Sequence, residues 1–544
     1  MTQKKHTFAQ TKNNTIHLKC IMKSNFKYRH YNFMYVIFFI ITFFVSKSFG
    51  QDHCKEVIGY YPGWQWYDRD KLVNPETIDY SKYTIINYAF LYPLEDGTIT
   101  ITDPWGDKNL LLGSINWALA PVGYDSEFDL GNPAYHHPNT SLIHHAHLNN
   151  VPVMISIGGW TLSNDFPAIA ANTVKRSNFA HSCNELVRTY NIDGIDIDWE
   201  YPGFTDHGGT PDDIYNYTLL LQEIRDSLDV VEDEISKNLM LTAAFGAAPD
   251  KMDDIEWDQM IEILDYINLM SYDFFGAFSS ETNHNSPLYT PESGDPTFNC
   301  NSAIERLVND YSVPPEMINL GVAFYGRSAK TIGTPVLHGE TTGESDIITF
   351  AMDEGTPLYY NILQKMDLFN TDWDALAEVP YLLGKDDLYT FLSYDDEKSI
   401  GIKGQYIVDQ ELAGAIIWEI TGDYIETTPG SGIIALTPLA DTLKLSLCHA
   451  PTEEGSDETY GISEQQLSSA INIYPNPVHT HLNIQVENGL KINSIQVTTL
   501  DGKQAINLNN PPTSINLSAL ESGVYIIRIN TSKGVINQKF IKKQ

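Results

Sequence analysis

Asp193-Gly-Ile-Asp196-Ile-Asp198-Trp-Glu200-Tyr-Pro202 is the stretch that decides how this 544-residue chain is read. On an extended strand residues two apart share a face, so Asp196, Asp198 and Glu200 point one way while Ile195, Ile197 and Trp199 point the other. A solvated edge strand would not set Ile, Ile and Trp opposite a face made only of carboxylates. A barrel strand would: its apolar face meets the surrounding helices, and its acids line the interior and rise to the rim, where Pro202 ends the strand. Like charges a few ångströms apart raise one another's pKa, so at least one of the three acids is expected to hold a proton at neutral pH. Glu200, outermost, is the expected general acid, with Asp198 and Asp196 sharing charge beneath it.

Outward from this ribbon, short apolar runs alternate with longer amphipathic stretches, as in repeated βα units. Eight runs are visible: 56–61, 83–90, 151–158, 194–199, 239–245, 266–272, 318–325 and 414–419. The expected fold is therefore α/β, a closed (β/α)8 TIM barrel over residues 51–448. Two spacings are too long for a plain βα unit. One, at about 93–140, carries Trp105, Trp117, Tyr124 and Tyr135; the other, at about 328–410, is expected to be an insertion between strands seven and eight. Insertions after barrel strands land on the catalytic face, where they can wall a cleft.

The ends read differently. Residues 33–45 (FMYVIFFIITFFV) follow Lys23, Lys27 and Arg29 and precede Ser48-Phe-Gly50, the pattern of a signal peptide and too short to span a bilayer comfortably. Residues 1–50 are thus expected to be removed, with no membrane span after processing, and Met22 is the expected true start. An uncleaved anchor is the alternative. The formal charge is −36, and residues 1–50 contribute eight basic and no acidic groups, so the processed chain is more acidic still. Such a chain repels nucleic acid and anionic membrane, while a neutral polymer remains an acceptable partner. Residues 449–470, with five acids and no Lys or Arg, read as a solvated linker; residues 471–544 flip to seven basic against three acidic groups and alternate like a small all-β sandwich of about seven strands. Cysteines 54, 183, 300 and 448 show no metal-like spacing, and a Cys54–Cys448 bridge at the bottom of the barrel is expected for an exported protein. Histidines 136, 137, 144, 145 and 147 invite a metal reading but lack an acidic or Cys partner at ligand spacing, so no metal is expected.

The segment DGIDIDWEYP resembles the DxxDxDxE signature of family 18 glycosidases, the chitinases. Ser156-Ile-Gly158-Gly159-Trp160 resembles the family's SxGG motif, Met270-Ser-Tyr272-Asp273 its MxYD, and Tyr325-Gly-Arg327-Ser328 its YGR segment. Trp418 matches the tryptophan ending strand eight, and Tyr60 and Phe90 fall where the family has aromatics. The resemblance covers nearly all of 54–448. It implies substrate-assisted hydrolysis of β-1,4-linked N-acetylglucosamine polymers, an exception to the two-carboxylate scheme. Glu200, Asp198, Asp196 and Tyr272 are then the expected catalytic set. Trp418, Asp273, Met270, Arg327, Tyr60, Phe90, Trp160 and Tyr201 are expected to bind sugar, though Asp273 and Arg327 could instead pair with each other, and Trp418 could be an ordinary core residue. Trp64 and Trp66 are further stacking candidates, and helix packing would explain these two and Trp160 equally well. No cofactor is implied. The insertion resembles the α+β subdomain of many bacterial and animal chitinases.

Ile473-Tyr-Pro-Asn-Pro477, Asp501-Gly502-Lys503 and Leu520-Glu-Ser-Gly523-Val-Tyr525 resemble the type IX secretion sorting domain, which implies that machinery as a partner and a secreted or cell-surface protein. A carbohydrate-binding module is the alternative; the absence of an aromatic row in the sequence weighs against it. Two other readings of the whole stand beside the chitinase: an endo-β-N-acetylglucosaminidase acting on N-glycans, and a non-hydrolytic chitinase-like lectin, against which the presence of Glu200 argues.

Overall fold

In the computed structural model the residues described are 55–448 and, with short breaks at 475–477, 487–490, 500–503, 510–513, 521 and 532–533, residues 471–543. The expected signal peptide, the acidic linker, Cys54 with its bridge, and the Pro475–Pro477 and Asp501–Lys503 motifs lie outside them.

The eight apolar runs form parallel strands β1 (Glu56–Pro62), β2 (Ile85–Pro93), β3 (Val153–Gly158), β4 (Gly194–Asp198), β5 (Met240–Gly246), β6 (Tyr266–Met270), β7 (Ile318–Ala323) and β8 (Gly414–Trp418). Each pairs with its sequence neighbour, and β1 pairs with both β2 and β8, so the sheet closes. Closure satisfies every strand edge, as a barrel must. In β4, Ile195 lies between Ile155 and Leu241, and Asp196 between Ser156 and Thr242. That register puts the small hydroxyls beside the acid.

The outward face of β4 behaves as its alternation requires. Ile195, Ile197 and Trp199 are buried in the main core with Phe179, Val187, Leu220 and Ile224 from helices Thr173–Tyr190 and Asp213–Ile235. Trp199 stacks on Phe166 at 5.3 Å and meets Tyr217 edge-on at 5.2 Å. Burying such a side chain contributes roughly 1.5–3 kcal/mol, so Ile197→Asn would break the strand's seat in the core. Helix Thr173–Tyr190 starts where the Asn172 side chain accepts the Val174 and Lys175 N–H groups, and ends at Asn191 in the left-handed region (φ 58°). A smaller cluster, including Ile58, Tyr60, Phe90, Met154 and Ile416, fills the barrel itself.

Between β7 and β8 the chain builds a four-stranded antiparallel sheet, ordered Arg327–Lys330, Thr390–Ser393, Val379–Gly384, Phe369–Asp374, with helix Tyr359–Lys365. Helix Glu397–Asp409 falls inside the range read as insertion, yet it packs on β7, β8 and helix Pro438–Leu447 as part of the barrel. Its Lys403 is fully buried and bonds Asp395 at 2.8 Å, a pairing a solvated insertion helix would not need. The subdomain therefore ends near Ser393.

The described residues fall into two compact units, 55–448 and 471–543. In the second, strands Ile471–Tyr474, His481–Val486 and Ser514–Asn516 form one sheet, and Ile492–Thr499, Gln504–Asn509, Gly523–Thr531 and Gly534–Lys542 another. Leu482, Ile484, Ile495, Val497, Ile527 and Phe540 make their shared core. Tyr525 stacks on Phe540 inside that core at 5.6 Å and offers no sugar platform.

Candidate active site

The three acids, Asp196 and Asp198 on β4 and Glu200 two residues past its end, occupy three different environments. Asp196 is fully buried and accepts four hydrogen bonds: from the Tyr60 hydroxyl (2.8 Å), Ser156 Oγ (2.7 Å), Thr242 Oγ1 (2.6 Å) and Asn268 Nδ2 (3.1 Å). Burial holds its pKa above the ordinary carboxylate value, and the four donors pull it back. Asp198, one step higher, is 4% exposed, and its Oδ1 is buried without a hydrogen-bond partner. Burial first, then the charges of Glu200 and Asp196, drive its pKa well up. Glu200 stands at the rim, partly exposed. Burial raises its pKa to about 7 against the opposing hydrogen bond from Tyr201, and the Asp273 charge pushes the same way as burial. The Glu200 backbone is pinned on both sides, its N–H donating to Ser163 Oγ (2.9 Å) and its carbonyl meeting His207 Nδ1 (2.7 Å).

Glu200 and Asp198 open into a cleft of about 920 Å³ at the C-terminal end of the barrel strands. Trp418, from the end of β8, forms the floor: Phe90 stacks on it at 5.6 Å and 19°, Tyr60 lies 5.8 Å away and Trp64 6.3 Å. Tyr272, 9% exposed, leans edge-on against Tyr325, and its hydroxyl feels the charge of Asp198. Met270, Tyr201 and Trp160 also line the cleft. Trp160 is 53% exposed and forms an aromatic rim with Phe204 and with His207, whose ring is 4.7 Å away. Asp273 and Arg327 line the cleft too and pair with each other, the guanidinium Nε and Nη2 each 2.6 Å from a carboxylate oxygen. The Tyr325 hydroxyl donates to the same carboxylate. Non-proline cis peptides occur at Ala89-Phe90, Glu200-Tyr201 and Trp418-Glu419.

Of the twelve side chains expected to act on or bind sugar, eleven line the cleft, and Asp196 lies beneath it. Of the two further tryptophans, Trp64 lines the cleft, whereas Trp66 is buried away from it with the Lys71 ammonium 3.4 Å from its ring centroid. Two of the five histidines have structural partners: His136 is buried between Tyr124 and the Gly113 carbonyl, and His147 bonds Asp193. Among the described residues no group of three or more His, Cys, Asp or Glu is placed to hold a metal. Sequence reasoning missed Phe278 and Lys251, both in the cleft wall. Lys251 spreads its Nζ over Phe204 (4.6 Å) and Tyr201 (5.3 Å), and nothing in a lone lysine after a strand announces that.

A closed eight-stranded barrel with an acid triad on and just past its fourth strand and a tryptophan floor defines a glycosidase scaffold, and the sequence profile of Glycosyl hydrolases family 18 matches residues 56–423. The chain belongs to that family. Residues 472–543 match the Secretion system C-terminal sorting domain. Chitinase A1 of Niallia circulans is 32% identical over 464 residues, which is 77% of this chain and 63% of that protein's own length. Endochitinase 1 of Metarhizium robertsii is 32% identical over 375 residues, 67% of this chain and 80% of that one. Among solved structures, chitinase ChiA74 from Bacillus thuringiensis superposes with a TM-score of 0.62 and 25% identity, covering 90% of this chain and 85% of its own.

Proposed function

We propose that the protein is a secreted chitinase that hydrolyses β-1,4 linkages between N-acetylglucosamine units with retention, the substrate's own acetamido group serving as nucleophile. The observation that carries this reading is Asp198: a buried carboxyl whose Oδ1 has no partner, set between Asp196 and Glu200 in the cleft that Trp418 also lines. An unpartnered buried acceptor costs roughly 1–3 kcal/mol, and an acetamido N–H arriving from the cleft would relieve it.

The sugar at the reacting position stacks on Trp418. Its acetamido oxygen attacks C1 while Glu200, held protonated up to about pH 7, gives its proton to the departing glycosidic oxygen. The C1–O bond breaks and an oxazolinium ion remains. Asp198 accepts the acetamido N–H and steadies the positive charge, and the Tyr272 hydroxyl bonds the acetamido oxygen as it swings to C1. Glu200, now a carboxylate, takes a proton from water, which opens the ring from the face the leaving group left. Asp196, saturated by four donors, anchors the base of the strand.

The matched sorting domain supports export by the type IX machinery to the cell surface or beyond, and no helix among the described residues is long and apolar enough to cross a membrane. The test is Glu200→Gln on the full chain with a hexamer of N-acetylglucosamine. Turnover is expected to fall by several orders of magnitude with binding retained. Equal turnover by mutant and parent, or efficient cleavage of fully deacetylated polymer, would overturn the reading.

A further inference from the structure

Arg69 lies outside the cleft in the turn Gly63–Asp70 that carries Trp64, and it joins three separate walls of the molecule. Its Nη2 donates to the Thr421 carbonyl (3.1 Å) and its Nη1 to that of Tyr424, both just beyond β8. Its guanidinium carbon lies over the Tyr360 ring, 3.5 Å from the centroid, on helix Tyr359–Lys365 of the inserted subdomain. Its Nε donates to Asp68 Oδ2 (2.8 Å), and the Tyr360 hydroxyl donates to the same oxygen (2.8 Å), which closes a ring of three side chains. Tyr360 is 4% exposed and belongs to an apolar cluster with Tyr272 and Tyr325, against which Trp418 packs.

The backbone here is unusual. Arg69, Asp70 and Lys71 are three consecutive residues other than glycine with φ of 48°, 53° and 64°. Left-handed conformations of this kind persist only where surrounding contacts over-determine them, and they gather at functional sites. Trp64 itself is 48% exposed, with the rings of Phe90 and Trp418 6.1 and 6.3 Å from its own. The turn that carries it is anchored beside Trp64 by buried Gln65 and Trp66 and by the Tyr67 hydroxyl on Asp103, and at its far end by Arg69.

We propose that Arg69, with Asp68 and Tyr360, is a positioning residue for long-chain binding: it locks the Trp64 turn, the segment after β8 and the inserted subdomain into one wall, so that Trp64 is presented to sugar units beyond the one over Trp418. This rests on the chitin reading. A planar fork that stacks and donates three ways suits the task, and lysine could not reproduce it. Pre-organised aromatic platforms add affinity only for ligands that reach them.

The test measures binding calorimetrically on the full chain carrying Glu200→Gln, with the dimer and the hexamer of N-acetylglucosamine as probes. Adding Arg69→Met is expected to weaken hexamer binding about tenfold and dimer binding less than twofold. Tyr360→Phe, which removes one hydroxyl and keeps the ring, is expected to shift the hexamer in the same direction by a smaller factor, and it carries the test should Arg69→Met not fold. Equal losses on both probes, or none on the hexamer, overturn the proposal while leaving the chitin reading intact. Failure of the Glu200→Gln chain to bind either probe sinks both.

Discussion

Asp196 and Asp198 stand two residues apart on one face of one strand, yet the first accepts four hydrogen bonds and Oδ1 of the second accepts none. Loss of the Asp196 carboxylate would leave Tyr60, Ser156, Thr242 and Asn268 with buried donors to satisfy. Asp196→Asn turns an amide toward them and is expected to cost about 2–4 kcal/mol of stability. Asp198→Asn orphans nothing at Oδ1, and its midpoint should move by less than about 1 kcal/mol while kcat falls roughly 10²–10³-fold. Urea melts and turnover of the two variants, measured side by side, check the contrast. A large stability loss in Asp198→Asn would show that the carboxyl is structural.

Glu200 should set the alkaline limb of kcat/KM. Its pKa is about 7, and the protonated form is the donor, so the rate is expected to fall as pH rises through about 7. Stability must follow the same titration. The folded chain holds this proton more tightly than the unfolded one, so Glu200 favours folding below its ordinary value of about 4.5, and that advantage is lost as pH rises through 7. Glu200→Gln removes the charge, and relative to its parent it should be more stable at pH 8 than at pH 4 by up to about 3 kcal/mol. Melting curves at the two pH values decide it; parallel shifts would mean that Glu200 ionises normally.

Asp273 and Arg327 should move that limb in opposite directions. The Asp273 charge raises the Glu200 pKa and the Arg327 charge lowers it. Asp273→Asn is expected to shift the alkaline limb of kcat/KM to lower pH, and Arg327→Met to higher pH. Their pair is more than a quarter exposed on each side, so either change should cost less than about 1 kcal/mol of stability. Shifts of the same sign would mean that the pair acts on Glu200 through position and not through charge.

What the sequence revealed, it revealed through period. Alternation in 194–199 exposed both the barrel and the triad, because a two-residue repeat with opposite chemistry on its faces has few other solutions. Helix Glu397–Asp409 was misassigned to the insertion because an amphipathic helix looks the same wherever it docks; its packing on β7, β8 and helix Pro438–Leu447, and the buried Lys403 that bonds Ser286 as well as Asp395, place it with the barrel. Trp64, Trp66 and Trp199 share one letter and meet three fates, decided by partners distant in sequence. The pairing of Asp273 with Arg327 spans 54 residues, and that of Arg69 with Tyr360 still more, so neither leaves a local signal.

His284 should make the barrel unit sensitive to mild acid. Its side chain is fully buried and bonds Asp374 at 2.9 Å through Nε2, and burial is the main cause that lowers its pKa below the ordinary value of about 6.5. The unfolded chain takes up a proton that the folded chain refuses, so stability is expected to fall as pH drops below about 6.5. Asp374 is silent in this window: its pKa is lowered to about 2, and its contribution is lost only below about 4. His284→Gln should lower stability at pH 7.5 by removing a packed ring, yet flatten the decline between pH 7.5 and 5. The slope of the melting temperature against pH is the measure. An unchanged slope would mean that the imidazole accepts its proton in place, beside the Asp374 carboxylate that already bonds its Nε2.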